Sequence, residues 1–98
     1  MRFFSHKNRK YLLSLIDLAS QLVVNMDQND DRLKYVSNEL NRIKELVKKH
    51  WVLTGHQIQS INIGLFAVRE LEDIDHELAQ LLMKIDYNLR NLKWFVGE

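Results

Sequence analysis

Residues 51–68 read WVLTGHQIQSINIGLFAV and contain no Asp, Glu, Lys or Arg, although 28% of the whole chain is charged. A helix built from this stretch is apolar on most of its sides, so it needs cover from the rest of the chain or from a partner. The chain has 98 residues, and one this short buries only about 60–65% of its unfolded surface on folding. The sequence therefore predicts a single helical domain, residues 1–98, with apolar surface left over.

The composition limits the possible classes of protein. The chain has no proline, no cysteine and three glycines, which favours an all-α fold and leaves no disulfide or thiolate metal site. A net charge of +1 gives no general attraction to nucleic acid. We find no phosphate-binding loop and no nucleophile, base and acid in catalytic order, so we expect no enzyme activity, cofactor, metal or nucleic-acid partner. The polar residues of the charge-free stretch argue against a membrane span, and we expect a cytoplasmic protein.

Apolar residues recur at helical spacing in the first half of the chain. Helix one is predicted at about residues 6–26 and helix two at about residues 31–50, with a polar break between them. Helix one carries two adjacent stripes and should contact two neighbours, whereas helix two carries a single stripe and should have one wet side. The stripes are Leu12, Ile16, Ala19, Val23 and Met26, then Tyr11, Leu15, Leu18 and Leu22, and in helix two Leu33, Val36, Leu40, Ile43 and Val47.

The second half of the chain offers fewer boundaries. Thr54 and Gln57 have the spacing of a capping box, and the alternative is that Gly55 caps the end of helix two; both interpretations indicate a turn near residues 53–55. The apolar face of residues 58–68 is rotated from that of residues 71–92, which indicates a turn near residues 70–75. We therefore predict an antiparallel four-helix bundle. The alternative is three helices, the last of them long and continuous.

The leftover apolar surface predicts a binding function. Helix one and residues 58–68 are apolar over more than one stripe. The main hypothesis is a non-enzymatic interaction or regulatory protein that works through this surface and self-associates as a homo-oligomer, most simply a dimer. The predicted interaction surface comprises Ile58, Ile61, Leu65, Val68, Leu71, Trp51 and Trp94.

A basic segment begins the chain. Arg2, Lys7, Arg9 and Lys10 fall within the first ten residues, where there is no acid. Such a segment can lie on an anionic membrane surface, at about 1 kcal/mol for each basic residue. A small, helical, cytoplasmic chain with one basic end is similar in organisation to the small bacteriocin immunity proteins. That resemblance implies a second hypothesis, an immunity-type protein acting at a toxin or at its membrane receptor.

Two histidines suggest a third hypothesis. The run HELAQLLMKI, residues 76–85, resembles the phosphoacceptor box of sensor histidine kinases, and the resemblance implies that His76 accepts a phosphoryl group. Leu81 stands where that family has proline, and no nucleotide-binding domain is present. His56 is placed like the acceptor of histidine-containing phosphotransfer bundles, but Gln59 and Ser60 replace the Lys and Gly of their motif. The alternative for His76 is a surface histidine in an acidic run.

Overall fold

The computed structural model describes residues 6–26, 29–49 and 55–92, and these ranges contain helices and turns but no strand. The helices are α1 (His6–Val24), α2 (Asp31–Lys49), α3 (Gly55–Gln59), α4 (Ile63–Phe66) and α5 (His76–Leu92), and a π-helical turn, Ala67–Leu71, continues α4. We call residues 63–71 together the α4–π segment. The all-α prediction is confirmed. No helix in the described ranges has the length and apolar character needed to cross a bilayer.

The first two helices follow their apolar stripes. All five stripe residues of α2 are buried. In α1 the first stripe is buried except for Met26, which is half-buried, and the second stripe is covered only in part, because Tyr11 and Leu18 stay exposed. α1 packs against both α2 and α5, as its two stripes predict. The α4–π segment packs on α5.

Two aspartates begin helices α2 and α5. Asp30 accepts a hydrogen bond from the backbone N–H of Arg32 at 2.8 Å, and its other oxygen receives the Arg32 guanidinium at 3.1 Å. These hydrogen bonds from Arg32 lower the pKa of Asp30. Asp75 accepts from the backbone N–H of Leu78 at 2.9 Å. Each carboxylate satisfies an amide that has no partner within its own helix, which fixes where that helix starts.

The structure interrupts the third predicted helix at residues 60–62. Arg42 of α2 donates to the backbone carbonyl of Ser60 at 3.1 Å, and Arg90 of α5 donates to the carbonyl of Ile61 at 2.7 Å. Carbonyls that accept from arginine side chains no longer need a donor from the next turn of a helix. Two arginines distant in sequence therefore stabilise a break that the local sequence does not indicate.

The chain turns again at residues 72–75, inside the predicted region. The backbone N–H groups of Ile74 and Asp75 both donate to the carbonyl of Leu71, each at 2.9 Å, which closes the end of the α4–π segment. The alternative of one long C-terminal helix is therefore wrong, and four main helical segments with the short α3 are present in the described ranges. The antiparallel bundle packing and the dimer stay predictions.

Candidate interaction surface

The structure divides the predicted interaction surface between the core and the exterior. Ile58, Ile61 and Leu71 are only 1%, 1% and 0% exposed, so their assignment to the surface was wrong. Ile58 and Ile61 point inward because the charge-free stretch is broken at residues 60–62 instead of forming one straight helix, and Leu71 lies on the inner side of the π-helical turn. Leu65 and Val68, by contrast, are 52% and 53% exposed. They are the two predicted surface residues that the described chain leaves uncovered.

The basic N-terminal patch is described only in part. Arg9 donates a hydrogen bond to the backbone carbonyl of Lys48 in the last turn of α2. That contact satisfies one of the free carbonyls at a helix end, so Arg9 holds α1 to α2. Lys10 is exposed. The remaining predicted residues lie outside the part of the chain whose side chains are described: Arg2, Lys7, Trp51 and Trp94.

The α4–π segment has sharply different inner and outer sides. Ile63, Ala67 and Leu71 are fully buried at a spacing of four residues. The outer residues between them include three in succession, 68–70, that are all exposed. A π-helical turn, with hydrogen bonds from residue i to i+5, is wider than an α turn and is often found at functional sites. Here it directs three consecutive side chains outward.

Aromatic residues from two other helices extend this outer side. The Tyr35 ring of α2 lies against Phe66, with ring centroids 4.5 Å apart and the planes tilted by 44°. On the opposite side, Tyr87 of α5 is 68% exposed. We call this surface the α4 face and define it by Tyr35, Leu65, Phe66, Val68, Arg69, Met83 and Tyr87.

Two shallow grooves meet in the α4 face at Leu65. The groove beside α2 has a volume of about 350 Å³ and is lined by Tyr35, Asn62, Leu65, Phe66, Arg69 and Glu70. The groove beside α5 has a volume of about 380 Å³ and is lined by Gly64, Leu65, Val68, Met83, Asp86, Tyr87 and Arg90. Leu65 therefore forms a ridge with a groove on each side. A protein partner can bind this surface by contacting the ridge and both grooves.

A buried carboxylate holds the α4–π segment on α5. Asp86 is 9% exposed, and it is the one buried charged residue among those the structure describes. It accepts from the backbone N–H of Gly64 at 2.9 Å and from Nε of Arg90 at 2.5 Å. Arg90 also donates to the Ile61 carbonyl, so a single network joins the break, the start of α4 and α5. The buried charge is thereby paired and hydrogen-bonded, as a low-dielectric site requires.

Gly64 makes this network possible. A Cβ atom at residue 64 would lie 2.8 Å from Cβ of Asp86, closer than two carbon atoms pack. This network was not predicted from the sequence. The spacing of Asp86 and Arg90, four residues apart on one helix, is the signal that could have shown their ion pair. Nothing local indicates that Gly64 lies against it.

A second apolar surface lies between α1 and α5. This α1–α5 groove has a volume of about 380 Å³ and is lined by Leu18, Gln21, Leu22, Asn25, Glu77, Gln80, Leu81 and Lys84. Its floor is aliphatic and its rim is made largely of side-chain amides. It has neither an aromatic ring nor an arginine among its lining residues.

His76 lies at the start of α5 and is held by an acid. Its side chain is 72% exposed, and Nδ1 is 2.9 Å from a carboxylate oxygen of Glu72. Glu77, the neighbour in the predicted motif, is not this partner. A carboxylate on Nδ1 orients the ring and leaves Nε2 exposed, so phosphotransfer through His76 stays a prediction. In the described ranges, no three His, Asp or Glu side chains come together as a metal site would need.

The fold and the α4 face define a class: a small helical domain with an aliphatic and aromatic surface that residues 6–26, 29–49 and 55–92 leave uncovered. The chain belongs to the Tsi6 family, whose family model matches residues 7–91. Comparisons with curated proteins and with solved structures found no match. The family indicates an immunity-type protein of type VI secretion, and the immunity proteins of this family bind a toxin partner. The second hypothesis from the sequence is thus better supported than the main one, a self-associating regulatory protein.

Proposed function

We propose that this chain is an immunity protein that binds a toxin domain through the α4 face and neutralises it by occupying its surface, without catalysis. The observation that carries the proposal is the adjacent exposure of Leu65 and Val68, 52% and 53%, among the aromatic side chains and the arginine of the α4 face. Contiguous exposed apolar side chains mark interaction sites more often than isolated ones do. Family membership supplies the class of partner.

The neighbours of Leu65 also support this surface. Tyr35 and Tyr87 come from different helices and flank the ridge on its two sides. Tyrosine and arginine are over-represented among the residues that dominate binding energy, because they combine large contact area with hydrogen bonding. The α4 face contains both residue types, and the α1–α5 groove has leucines and amides instead.

The rigidity of the segment favours tight binding. Asp86 and Arg90 connect the start of α4 to α5 through hydrogen bonds of 2.5–2.9 Å. A surface that is already ordered loses little conformational entropy when a partner binds, so more of the contact energy appears as affinity. The face therefore does not need to fold upon the toxin.

We also propose where the chain acts and what it can act without. The immunity protein meets the toxin in the cytoplasm of the cell that it protects, and it needs no cofactor, metal or membrane contact to do so. Fractionation of cells that produce a tagged full-length chain checks the location. If the chain is recovered with membranes instead of in the soluble fraction, the basic patch that includes Arg9 and Lys10 becomes the candidate membrane contact.

The test is protection of living cells. The partner toxin is the protein that this chain captures from its native host and that arrests growth when expressed alone, and it is expressed in a sensitive host with or without this chain. We expect growth to be restored by the unmodified chain and by Leu18→Asp, but not by the double variant Leu65→Asp, Val68→Asp. No restoration by the unmodified chain contradicts the immunity function. Full protection by the double variant contradicts the assignment to the α4 face.

A second copy of the chain is the other occupant that the α4 face would fit. In a two-fold dimer the same patch buries itself on both subunits, which would cover Leu65 and Val68. Sedimentation of the chain alone distinguishes this case. A dimer that Leu65→Asp converts to a monomer supports self-association, and a monomer at every concentration tested removes it.

A further inference from the structure

One arginine differs from the others in the described part of the chain. Arg32, Arg42 and Arg90 are paired with carboxylates at 3.1, 2.9 and 2.5 Å, and Arg9 donates to a backbone carbonyl. Arg69 makes no hydrogen bond or ion pair with any described residue. Its charge is therefore not used to hold the fold together.

Arg69 lies inside the α4 face. It is exposed in the π-helical turn and lines the groove beside α2 together with Tyr35, Leu65 and Phe66. Its guanidinium is thus next to the aliphatic and aromatic side chains that the proposed function assigns to the toxin. An unpaired charge beside an apolar ridge is the arrangement expected of a contact completed by a partner.

The adjacent acid does not complete Arg69. Glu70 follows it directly, and side chains one residue apart on a helix do not face each other. The charge of Glu70 acts on α2 instead: Asp30 and, more weakly, Glu70 raise the pKa of Arg32. Glu70 therefore acts on α2 and not on Arg69. The guanidinium donors of Arg69 are available to another molecule.

We propose that Arg69 is the polar anchor of the α4 face and pairs with an aspartate or glutamate carboxylate of the toxin. This inference rests on the proposed function and names the chemistry of its partner: an acidic side chain surrounded by apolar residues that cover Leu65 and Val68. Guanidinium presents a planar fork of donors that matches a carboxylate and is easily desolvated beside aromatic rings. Exclusion of water by the surrounding apolar contacts strengthens the pair and fixes its geometry.

The experiment measures affinity of the full chain for the partner toxin by titration calorimetry. Arg69→Gln should weaken binding about 10–100-fold, because the toxin carboxylate is left buried and unpaired. Arg69→Lys should lose part of that, since an ammonium group cannot form the two-pronged contact. Lys84→Gln removes the same charge from the α1–α5 groove and is the control, with less than about twofold change expected. Binding by Arg69→Gln within twofold of the unmodified chain overturns the inference.

Salt gives an independent readout. Affinity of the unmodified chain should fall as sodium chloride rises from about 0.05 to 0.5 M, and Arg69→Gln should show a flatter dependence, because one screened attraction is gone. Equal salt dependence for the two proteins counts against the pair. The Tm of Arg69→Gln should match that of the unmodified chain, since Arg69 makes no hydrogen bond or ion pair with a described residue, so a loss of affinity cannot be attributed to misfolding.

A charge exchange identifies the toxin residue. Each surface acid of the partner toxin is changed to arginine and tested against Arg69→Glu. We expect one exchange to restore at least about tenfold of the lost affinity, and restoration by none contradicts a carboxylate partner. The outcomes also separate the two proposals. Loss of binding by Leu65→Asp with normal binding by Arg69→Gln retains the α4 face and rejects the anchor, whereas normal binding by both variants rejects both.

Discussion

The α4 face and the α1–α5 groove each contain a half-exposed leucine but differ in what surrounds it. Leu65 in the first and Leu18 in the second are each 52% exposed. Around Leu65 lie two tyrosines, a phenylalanine and an arginine without a described ion pair, on a segment held by the buried carboxylate of Asp86. Around Leu18 lie other leucines, amides and one charge of each sign.

Exposed area alone therefore does not mark a binding site. About half of any folded protein's surface is apolar, so a leucine at 52% needs no special explanation by itself. What distinguishes the α4 face is the combination of aromatic neighbours, a free guanidinium and a rigid support. Substitutions in the two surfaces and in their support test whether that combination decides binding.

The largest effect is expected from a matched pair of leucine substitutions. Leu65→Asp should weaken binding of the partner toxin at least about 100-fold, because a charge is buried without a partner at the centre of the interface. Leu18→Asp should change affinity by less than about threefold. Calorimetric titration checks both variants. If Leu18→Asp is the damaging one, the two surfaces have been assigned the wrong way round.

The next effect concerns the support beneath the α4 face. Asp86→Ala should lower the free energy of unfolding by about 2–4 kcal/mol, because it leaves the buried Gly64 amide without an acceptor and Arg90 without its carboxylate. Gln80→Ala, on the rim of the α1–α5 groove, should stay within about 0.5 kcal/mol. Urea denaturation measures both. An unchanged midpoint for Asp86→Ala would mean that the network does not hold the segment.

Gly64→Ala should have a somewhat smaller effect of the same kind. The added methyl group would meet Asp86 at 2.8 Å and must push α4 away from α5. Overpacking of this kind costs about 1–3 kcal/mol in the free energy of unfolding. We expect toxin affinity to fall as well, since the ridge moves with the segment. Wild-type stability in this variant would show that α4 tolerates displacement.

The smallest effect is a pH dependence that reports on the α4 face. Burial, with a further contribution from the charge of Glu39, raises the pKa of Tyr35. The neutral phenol is thus favoured in the folded protein, so its stabilising contribution is complete below the ordinary tyrosine pKa of about 10 and is lost as pH rises through the folded value. Tyr35→Phe should remove this part of the alkaline loss. Identical stability curves for both proteins between pH 9 and pH 11 would contradict it.

The sequence predicts the first half of the fold well because its structure follows local rules. The single stripe of α2 and the first stripe of α1 are periodic, and a helix with such a stripe must bury it. The turn at residues 72–75 was also predictable, from the rotation of the apolar face. Leu65 and Val68 were identified as surface residues for the same reason, an excess of apolar positions over one face.

The rest depends on contacts between distant residues. The break at residues 60–62 exists because Arg42 and Arg90 reach its carbonyls from other helices, and no local pattern encodes that. Ile58 and Ile61 were misplaced for this reason, since a straight helix would have directed them elsewhere. That Arg69 has no hydrogen bond or ion pair with a described residue also cannot be read from the sequence, because it depends on which carboxylates the fold places near each arginine.

Hydrogen exchange of the complex shows whether the partner toxin covers the α4 face. Backbone amides of the full chain are compared by mass spectrometry with and without the partner toxin. We expect slower exchange in residues 62–71 and in the adjoining part of α5, residues 83–90, with little change in residues 18–25. Protection confined to residues 18–25 and 77–84 would place the toxin in the α1–α5 groove and contradict its binding to the α4 face.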